Sequence, residues 1–404
     1  MFRYLAKGWV DTATWLIVTK VDAVSSAKYV VQRDSLNNTF DLDSLTALTH
    51  ETVHFWHAIS TTFLYLYSLS NFRNCNDAMR KLRKGQMSAE ELSHARSSFE
   101  EAAQVLTEEI IGLRTLDIIE GSAVLCAYRA FSFTGDNHDA FIRYLKQAHH
   151  NRTEYTIAYE FATQLLGEPA YDLFAPAAFL ALQSPKPLEL FIALIGAAAK
   201  FGDPKRGREN PLNYLSEMSG VPLDICFVLN PQNRIAEMND LLRREGVLPP
   251  DGDMEHYILK PYVESAHKIP GGLDFFARPY HYMRPGGTPP PAGLLDTLMP
   301  PVYLVPSHSR TDTVYSMGLG AKLGMDYIAK VCGYTALIGV VRKTIMGTVD
   351  EMICWHKACP VYKTGLCHRY YLIPSEDYKE CRFSDFLRVS GLDRLLSEKG
   401  LFLP

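Results

Sequence analysis

Residues 44–71 read SLTALTHETVHFWHAISTTFLYLYSLSN, a stretch of 28 residues without a glycine or a proline. Apolar side chains recur through it at helical spacing. Asp41 or Asp43, just ahead of it, can cap the first turn of a helix. The stretch therefore predicts a long and largely buried helix, and the rest of the fold is expected to be built around it.

Further segments share this helical pattern, and they cover 88–131 with soft breaks at Gly112 and Gly121, 152–166, 172–183, 187–201, 234–244 and 311–349. Residues 14–18 and 28–31 are rich in β-branched and aromatic side chains, which is typical of strands. The predicted fold class is mainly α (α+β). It has a helical core, a small N-terminal β element and an irregular, cysteine-rich C-terminal tail.

Twelve of the 23 prolines lie between Pro249 and Pro306, a density that disfavours regular helices and central strands. Aromatic side chains in the same stretch indicate an ordered segment packed on the core. We therefore expect three regions. Residues 1–248 form a helical region with N-terminal strands, 249–310 form an irregular Pro/Gly-rich segment, and 311–404 hold a helical segment and a cysteine cluster.

The overall charge excludes some classes of function. A formal net charge of −4 gives no basic field that would hold a nucleic-acid backbone. The longest largely apolar stretch, 188–199, which is interrupted by Glu189, is too short to span a bilayer. No secretory signal is visible near the first residues. We expect a cytoplasmic protein that binds neither nucleic acid nor membranes, and its oligomeric state is not predicted.

The chemistry of the long helix lies in His50-Glu51-Thr52-Val53-His54. Residues four apart lie on the same helical face, so His50 and His54 present two imidazoles one turn apart. Two such imidazoles suit two positions of a tetrahedral zinc site. Glu51, beside the first histidine, can serve as the general base for a water activated by the metal.

A catalytic zinc site needs a third protein ligand, and Glu120 is the strongest candidate. It lies among apolar residues inside a helical segment, where an acidic side chain is costly to bury unless it is paired or bound to a metal. Gly121 and Ala123 are small enough to let this helix approach the first one closely. The alternative for Glu120 is a salt bridge to Arg114 or Arg129.

Together, the His50–His54 motif and Glu120-Gly121-Ser122-Ala123, 66 residues after His54, resemble the gluzincin metallopeptidases of the thermolysin and aminopeptidase N kind. The resemblance covers roughly residues 44–130. It implies a catalytic zinc ion bound by His50, His54 and Glu120, with Glu51 as the base and a peptide or protein as the substrate. Val124 stands where thermolysin-like enzymes carry a supporting aspartate.

Such peptidases also need a group that stabilises the developing oxyanion, usually a tyrosine or a histidine. Tyr155 and Tyr159 lie one turn apart on a helix that could pack beside Glu120, and we name them as candidate catalytic residues. His281 and His308 are further candidates.

Two other functions stay open. Helical Glu-x-x-His pairs also build carboxylate-bridged di-iron oxidoreductases, and the chain has three such pairs and two further glutamates that could complete a set: Glu51/His54, Glu91/His94 and Glu264/His267, with Glu120 and Glu160. The second alternative is a non-catalytic interaction protein with structural metal sites, in which Glu51 would be dispensable.

Four cysteines close to the C-terminus form a dense group of soft ligands, with two histidines among them: Cys354, Cys359, Cys367 and Cys381. Tetrahedral sulfur coordination favours zinc or an iron–sulfur centre. We predict a second, structural zinc ion there. An iron–sulfur centre and four separately buried free thiols are the alternatives.

Overall fold

The computed structural model describes residues 2–4, 8–19, 42–83, 88–131, 136–149, 151–203, 206–232, 260–268, 272–283, 298, 300–304 and 313–315, with single residues at 331, 335, 338, 341, 342 and 345. This part of the chain is mainly helical with a small sheet, so the predicted fold class is confirmed. The predicted strand 28–31, the predicted helix 234–244 and the cysteine cluster lie outside the described residues.

The described helices, numbered in chain order, are α1 Leu42–Ser60, α2 Thr62–Arg83, α3 Ala89–Thr107, α4 Thr115–Phe131, α5 His138–Ala148, α6 Thr153–Leu166, α7 Ala170–Ala181, α8 Pro187–Phe201, α9 Pro211–Ser219, α10 Lys260–His267, α11 Gly272–Ala277 and α12 Tyr280–Met283. The described strands are β1 Phe2–Tyr4, β2 Gly8–Val10, β3 Ile17–Thr19, β4 Glu109–Ile110, β5 Leu113–Arg114, β6 Val302–Leu304 and β7 Thr313–Tyr315.

The first long helical stretch is two helices, because the chain breaks at Thr61. The hydroxyl of Ser60 donates to the carbonyl of Trp56 at 2.6 Å, and that of Thr61 donates to the carbonyl of His57 at 2.7 Å. Such side-chain bonds to the preceding turn bend helices. The amide of Phe63 then donates at 2.9 Å to the carbonyl of Leu182, at the end of α7, which fixes the start of α2.

The second long stretch, 88–131, is also interrupted. Helix α3 begins at a capping box in which Ser88 and Glu91 bond each other's backbone. A short hairpin, β4–β5, follows, and its turn uses left-handed backbone at Ile111 and Gly112. Helix α4 then runs without a break through Gly121, so of the two predicted soft breaks only the one at Gly112 is real.

The main sheet has five strands in the order β1-β2-β3-β6-β7. Neighbouring strands are antiparallel except for β3 and β6, which pair in parallel. The predicted N-terminal β element is therefore present, and β6 and β7 complete the sheet. Because β7 occupies Thr313–Tyr315, the prediction of a helix over 311–349 is wrong at its start. The turn before β3 is held by Asp11, whose Oδ1 accepts from the amides of Ala13 and Thr14 at 3.0 and 2.9 Å.

Helices α1, α4, α6 and α7 form the centre of the helical region, with α4 packed against the other three. Nearly every side chain of α4 is buried. Gly121 faces α7 and α6, because a Cβ added there would lie 3.1 Å from Phe174 Cζ and 3.7 Å from the carbonyl oxygen of Tyr155. The expectation that Gly121 serves the approach to α1 is therefore wrong; its small size serves the approach to α6 and α7.

The proline-rich stretch contains helices that the sequence reading excluded. Helix α10 begins at Lys260, with Pro261 in its first turn, where a proline costs no hydrogen bond. Helices α10 and α11 pack on α1: the ring centroids of Tyr262 and Phe55 are 5.0 Å apart, and those of Phe275 and Trp56 are 4.9 Å apart. This part of the chain therefore forms part of the packing around α1. No described helix combines the length and apolarity needed to cross a membrane.

Alanine substitutions at two helical glycines, Gly121 in α4 and Gly196 in α8, test how closely α4 is packed. We expect Gly196→Ala in α8 to raise the free energy of unfolding by about 0.5–1 kcal/mol, because alanine restricts the unfolded chain and no atom lies within 4 Å of the new methyl group. We expect Gly121→Ala to lower it by about 1 kcal/mol through crowding against Phe174. Urea denaturation measures both, and equal stabilisation by both variants would contradict the close packing of α4.

Candidate metal centre

Helix α1 places His50 and His54 one turn apart in the protein interior, as predicted. Their exposed fractions are 1 % and 0 %. The two rings meet edge to face, with centroids 4.6 Å apart and an interplanar angle of 88°. Their Nε2 atoms are 3.0 Å apart. The Nε2 atom of each histidine is therefore directed toward the same point.

Helix α4 brings the carboxylate of Glu120 to that point. Its Oε2 lies 3.0 Å from Nε2 of His50 and 3.4 Å from Nε2 of His54. Among the described residues, these three are the one set of histidine, cysteine, aspartate or glutamate residues whose ligand atoms all lie within 4.8 Å of one another. A buried group that could hold a metal ion is therefore present, and we call it the triad.

The dimensions of the triad suit a small metal ion. With metal–ligand distances of about 2.0–2.1 Å, the ligands of a tetrahedral ion are about 3.3–3.4 Å apart. The three donor atoms are separated by 3.0, 3.0 and 3.4 Å. His50, His54 and Glu120 would therefore hold a small ion through three protein ligands.

With Glu120 ionised and both imidazoles neutral, protons alone do not satisfy this geometry. A neutral imidazole carries a proton on only one of its nitrogens. If both Nε2 atoms of His50 and His54 donate to Glu120, two N–H groups face each other at 3.0 Å. If one of them does not donate, a lone pair faces the carboxylate. A cation at the centre accepts all three lone pairs at once.

The electrostatics of the triad also fit metal ligands. Burial lowers the pKa of His50 to about 4, against the opposing hydrogen bond to Glu120, so the ring is neutral near pH 7. Burial would raise the pKa of Glu120, but His54 and His50 outweigh it and lower that pKa to about 2. Neutral imidazoles and an ionised carboxylate are the protonation states in which these side chains bind metals.

The alternative salt bridges for Glu120 are contradicted. Arg114 pairs with Asp117, three residues along the same segment. Arg129 lies between the rings of Tyr171 and Tyr280, at 4.3 and 4.1 Å from their centroids, and it bonds acidic residues other than Glu120. Neither arginine neutralises Glu120, whose described partners are the two histidines.

Glu51 is wholly buried beside the triad. Neither of its carboxylate oxygens has a hydrogen-bond partner among the described residues. Burial, and then the charge of Glu120, raise the pKa of Glu51 well above its usual range. A buried polar group without a partner is rare in proteins and often marks a catalytic role or a bound water. The carboxylate of Glu51 is not among the ligand atoms that lie within 4.8 Å of one another. Its position therefore fits a general base better than a fourth metal ligand.

The two tyrosines proposed for the oxyanion lie in different surroundings. The ring of Tyr155 meets His50 edge to face, with centroids 5.8 Å apart. The hydroxyl of Tyr159 lies 2.9 Å from Nδ1 of His138, and its ring packs against Phe141. The structure therefore brings Tyr155, and not Tyr159, against a residue of the triad.

The other histidines named as candidates are not part of the triad. The ring of His281 packs on Tyr280, with centroids 4.9 Å apart, and the described residues place it in no metal-ligand group. His308 lies outside the described residues. Neither position adds support for a role at the metal centre.

The sequence reading missed His149. This buried residue ends α5, and its ring centroid lies 4.9 Å from that of Tyr155. Burial, and then the neighbouring His50, lower its pKa to about 4. No motif or periodicity marks His149 in the sequence, because its place depends on the turn between α5 and α6.

The structure does not assemble the set of residues that a di-iron site needs. His94 of α3 is exposed, and Glu91 serves the capping box of that helix. Glu264 and His267 do lie on a helix, but both are exposed, and Nδ1 of His267 is bonded to the carbonyl of Val228. Glu160 is exposed as well. No second Glu-x-x-His pair among the described helices faces the triad.

The predicted cysteine site, Cys354, Cys359, Cys367 and Cys381, lies outside the described residues and stays a prediction. The described cysteines, Cys75, Cys126 and Cys226, are buried and form no disulfide bond.

The chain matches no protein-family model, no curated protein and no solved structure at a significant level. The gluzincin resemblance therefore stays a prediction that depends on the motifs themselves.

Metal content tests the triad. We expect His54→Ala and Glu120→Ala each to remove one equivalent of metal relative to the wild type, because each deletes one of three ligands. Elemental analysis by mass spectrometry after dialysis measures the loss, with circular dichroism to confirm folding. His267→Ala, which removes an exposed histidine from α10, is the control and should retain all metal. Unchanged metal content in both triad variants would contradict the site.

The pH dependence of stability tests the burial of α1. His57 is buried, and burial, followed by the neighbouring His54, lowers its pKa to about 3. Because its folded pKa lies below the unfolded value, the unfolded chain takes up the proton first as the pH falls. Stability is therefore lost from about pH 6.5 downward.

In metal-free protein we expect His57→Gln to remove about 2 kcal/mol of the stability change between pH 6.5 and 5. Urea denaturation at both pH values measures this difference. An identical change in the wild type and the variant would show that His57 is accessible to protons in the folded state.

Proposed function

We propose that this protein is a zinc-dependent hydrolase that cleaves a peptide bond. The observation that carries the proposal is the wholly buried carboxylate of Glu51, without a hydrogen-bond partner among the described residues, beside a group of three potential metal ligands. Catalytic zinc sites in proteins have three protein ligands and one open position, whereas structural sites are closed by four. Glu51 is the general base that such a site requires.

The ligand types favour zinc over other common ions. Calcium and magnesium prefer oxygen ligands, and two of the three donors here are imidazole nitrogens. Imidazole suits zinc, copper, iron and nickel. Zinc has no geometric preference of its own and accepts a set of two histidines and one glutamate with distances like those of the triad. Zinc is therefore the ion that we propose.

A zinc ion held by the triad would lower the pKa of a bound water toward about 7 and would polarise the scissile carbonyl. Glu51 would take the proton of the attacking water and deliver it to the leaving amine. Glu51 must be ionised to accept this proton, and the positive charge of an ion held by the triad would favour its ionised form. The rigid, buried helix α1 fixes its position relative to the triad.

Tyr155 would stabilise the negative charge that develops on the carbonyl oxygen. Burial, and then the charge of Glu120, raise the pKa of Tyr155 above its ordinary value, so the hydroxyl keeps its proton near pH 7. A neutral hydroxyl fixed in a dry site is an effective oxyanion donor. Tyr159, whose hydroxyl lies against His138, has no part in this proposal.

The second candidate is a non-catalytic protein in which the triad serves stability alone. It gives no role to Glu51, and leaving an unpaired carboxyl group wholly buried costs stability. That cost favours the catalytic proposal. The predicted second zinc ion at the C-terminal cysteines is compatible with either function.

The proposal is tested by Glu51→Gln, which keeps the shape of the side chain and removes the base. We expect the variant to retain its metal and to lose at least about 100-fold in the cleavage rate of a mixed-sequence peptide library, read by mass spectrometry. Glu160→Gln, which changes an exposed glutamate of α6, is the control and should leave the rate unchanged.

Two outcomes would count against the proposal. Full activity of metal-loaded Glu51→Gln would remove Glu51 as the base. If the metal-loaded wild type cleaves no peptide, the proposed peptidase function is contradicted, whichever metal the triad binds.

A further inference from the structure

A partly exposed arginine, Arg152, lies close to the metal centre at the start of α6. The amide of Arg152 donates to the carbonyl of His149 at 2.9 Å, which holds Arg152 near the end of α5. The amide of Tyr155 then donates to the carbonyl of Arg152 at 3.2 Å and starts α6. This geometry directs three neighbouring side chains, from His149, Arg152 and Tyr155, to one place.

The ring of Tyr155 is the common contact of this group. His50 of the triad lies 5.8 Å from its centroid, His149 lies 4.9 Å away, and the guanidinium carbon of Arg152 lies 5.7 Å away. A single aromatic ring thus connects a metal ligand to a permanently charged arginine. The distances place Arg152 in the surroundings of the metal centre.

Exposure rises along this path. Tyr155 and His149 are 1 % and 3 % exposed, as deeply buried as the triad. The side chain of Arg152 is 27 % exposed and that of Glu154 is 29 % exposed. The partly exposed side chains of this group are therefore those of Arg152 and Glu154, and the Arg152 guanidinium is the positive charge of the group that a molecule in solvent can contact.

The present partner of Arg152 binds it weakly. Nη1 of Arg152 lies 3.6 Å from Oε1 of Glu154, which is longer than a charge-assisted hydrogen bond, and both groups are partly in water. Such partly exposed pairs contribute little to stability. An arginine can bind a carboxylate through two parallel hydrogen bonds, which is a stronger and more directional contact.

We propose that Arg152 determines substrate specificity by binding the C-terminal carboxylate of a peptide whose scissile bond lies at the triad. This inference rests on the proposed hydrolase function. An extended chain advances about 3.3–3.6 Å per residue, so a carboxylate one to three residues beyond the scissile bond can span the separation across the Tyr155 ring. The protein is then a peptidase that acts close to the C-terminus of its substrate.

The test compares two mixed-sequence hexapeptide libraries, one with a free C-terminal carboxylate and one amidated, on zinc-loaded wild-type protein. We expect cleavage within the last three bonds of the free-acid library, at least about tenfold faster than in the amidated library. Within each library, the cleavage rates of peptides with and without Asp or Glu are compared. This comparison shows whether a side-chain carboxylate or the C-terminal carboxylate is bound. Preference for Asp or Glu in both libraries would overturn the assignment to the C-terminus.

Arg152→Gln should remove the preference for the free acid by raising KM for that library at least about tenfold while kcat changes little, because the contact is remote from the reacting atoms. Arg152→Lys should restore part of the preference, since it keeps the charge without the planar fork. Arg143→Gln, an exposed arginine of α5, is the matched control and should keep the preference. A preference that survives Arg152→Gln would overturn the inference.

The comparison of the two libraries distinguishes failure of the proposed hydrolase function from failure of the proposed role of Arg152. If the wild type cleaves both libraries at equal rates, the hydrolase function stands and the role of Arg152 is wrong. If it cleaves neither, the proposed function is wrong and the role of Arg152 falls with it. Calorimetry with the zinc-loaded Glu51→Gln variant measures the binding of both libraries in the absence of cleavage. We expect the free-acid library to bind more tightly than the amidated library.

Discussion

The convergence of two imidazoles from α1 on one carboxylate from α4 is the contact on which the architecture around the site depends. An ionised glutamate in a protein interior is costly unless charge and hydrogen bonds compensate it. Glu120 is 3 % exposed, and its described partners are His50 and His54. A metal ion held by these three residues would supply positive charge next to the Glu120 carboxylate. The close approach of α4 to α1, α6 and α7 holds these groups at bonding distance.

Much of this could be predicted from the sequence, where periodicity or a motif is local. Helix Pro187–Phe201 has the predicted bounds, and Glu120 was identified because an acidic residue among apolar ones needs a partner. The rest depends on contacts that sequence spacing does not encode. The break at Thr61 depends on a bond to a distant carbonyl, and Lys260–His267 is helical because its proline falls in the first turn. His149 reaches the site only through a turn between two helices.

Two kinds of neighbour surround the triad: aromatic side chains packed on α1, and a partly exposed arginine beside Tyr155. Helices α10 and α11 cover α1 with aromatic contacts such as that of Phe275 with Trp56. Tyr155 contacts His50 of the triad, and Arg152, next to Tyr155, has a side chain that is 27 % exposed. A rigid, dry interior favours electrostatic catalysis, because fixed groups act more strongly away from water. A charged group close to such a site would select among substrates, which is why the proposed function and the proposed role of Arg152 belong together.

The claim that the triad binds a metal is tested most directly by anomalous diffraction from crystals of the purified protein, with data collected on both sides of the zinc absorption edge. We expect an anomalous peak within about 2.3 Å of Nε2 of His50, Nε2 of His54 and Oε2 of Glu120, present above the edge and absent below it. A triad without any anomalous peak, in protein whose metal content is stoichiometric, would contradict the account.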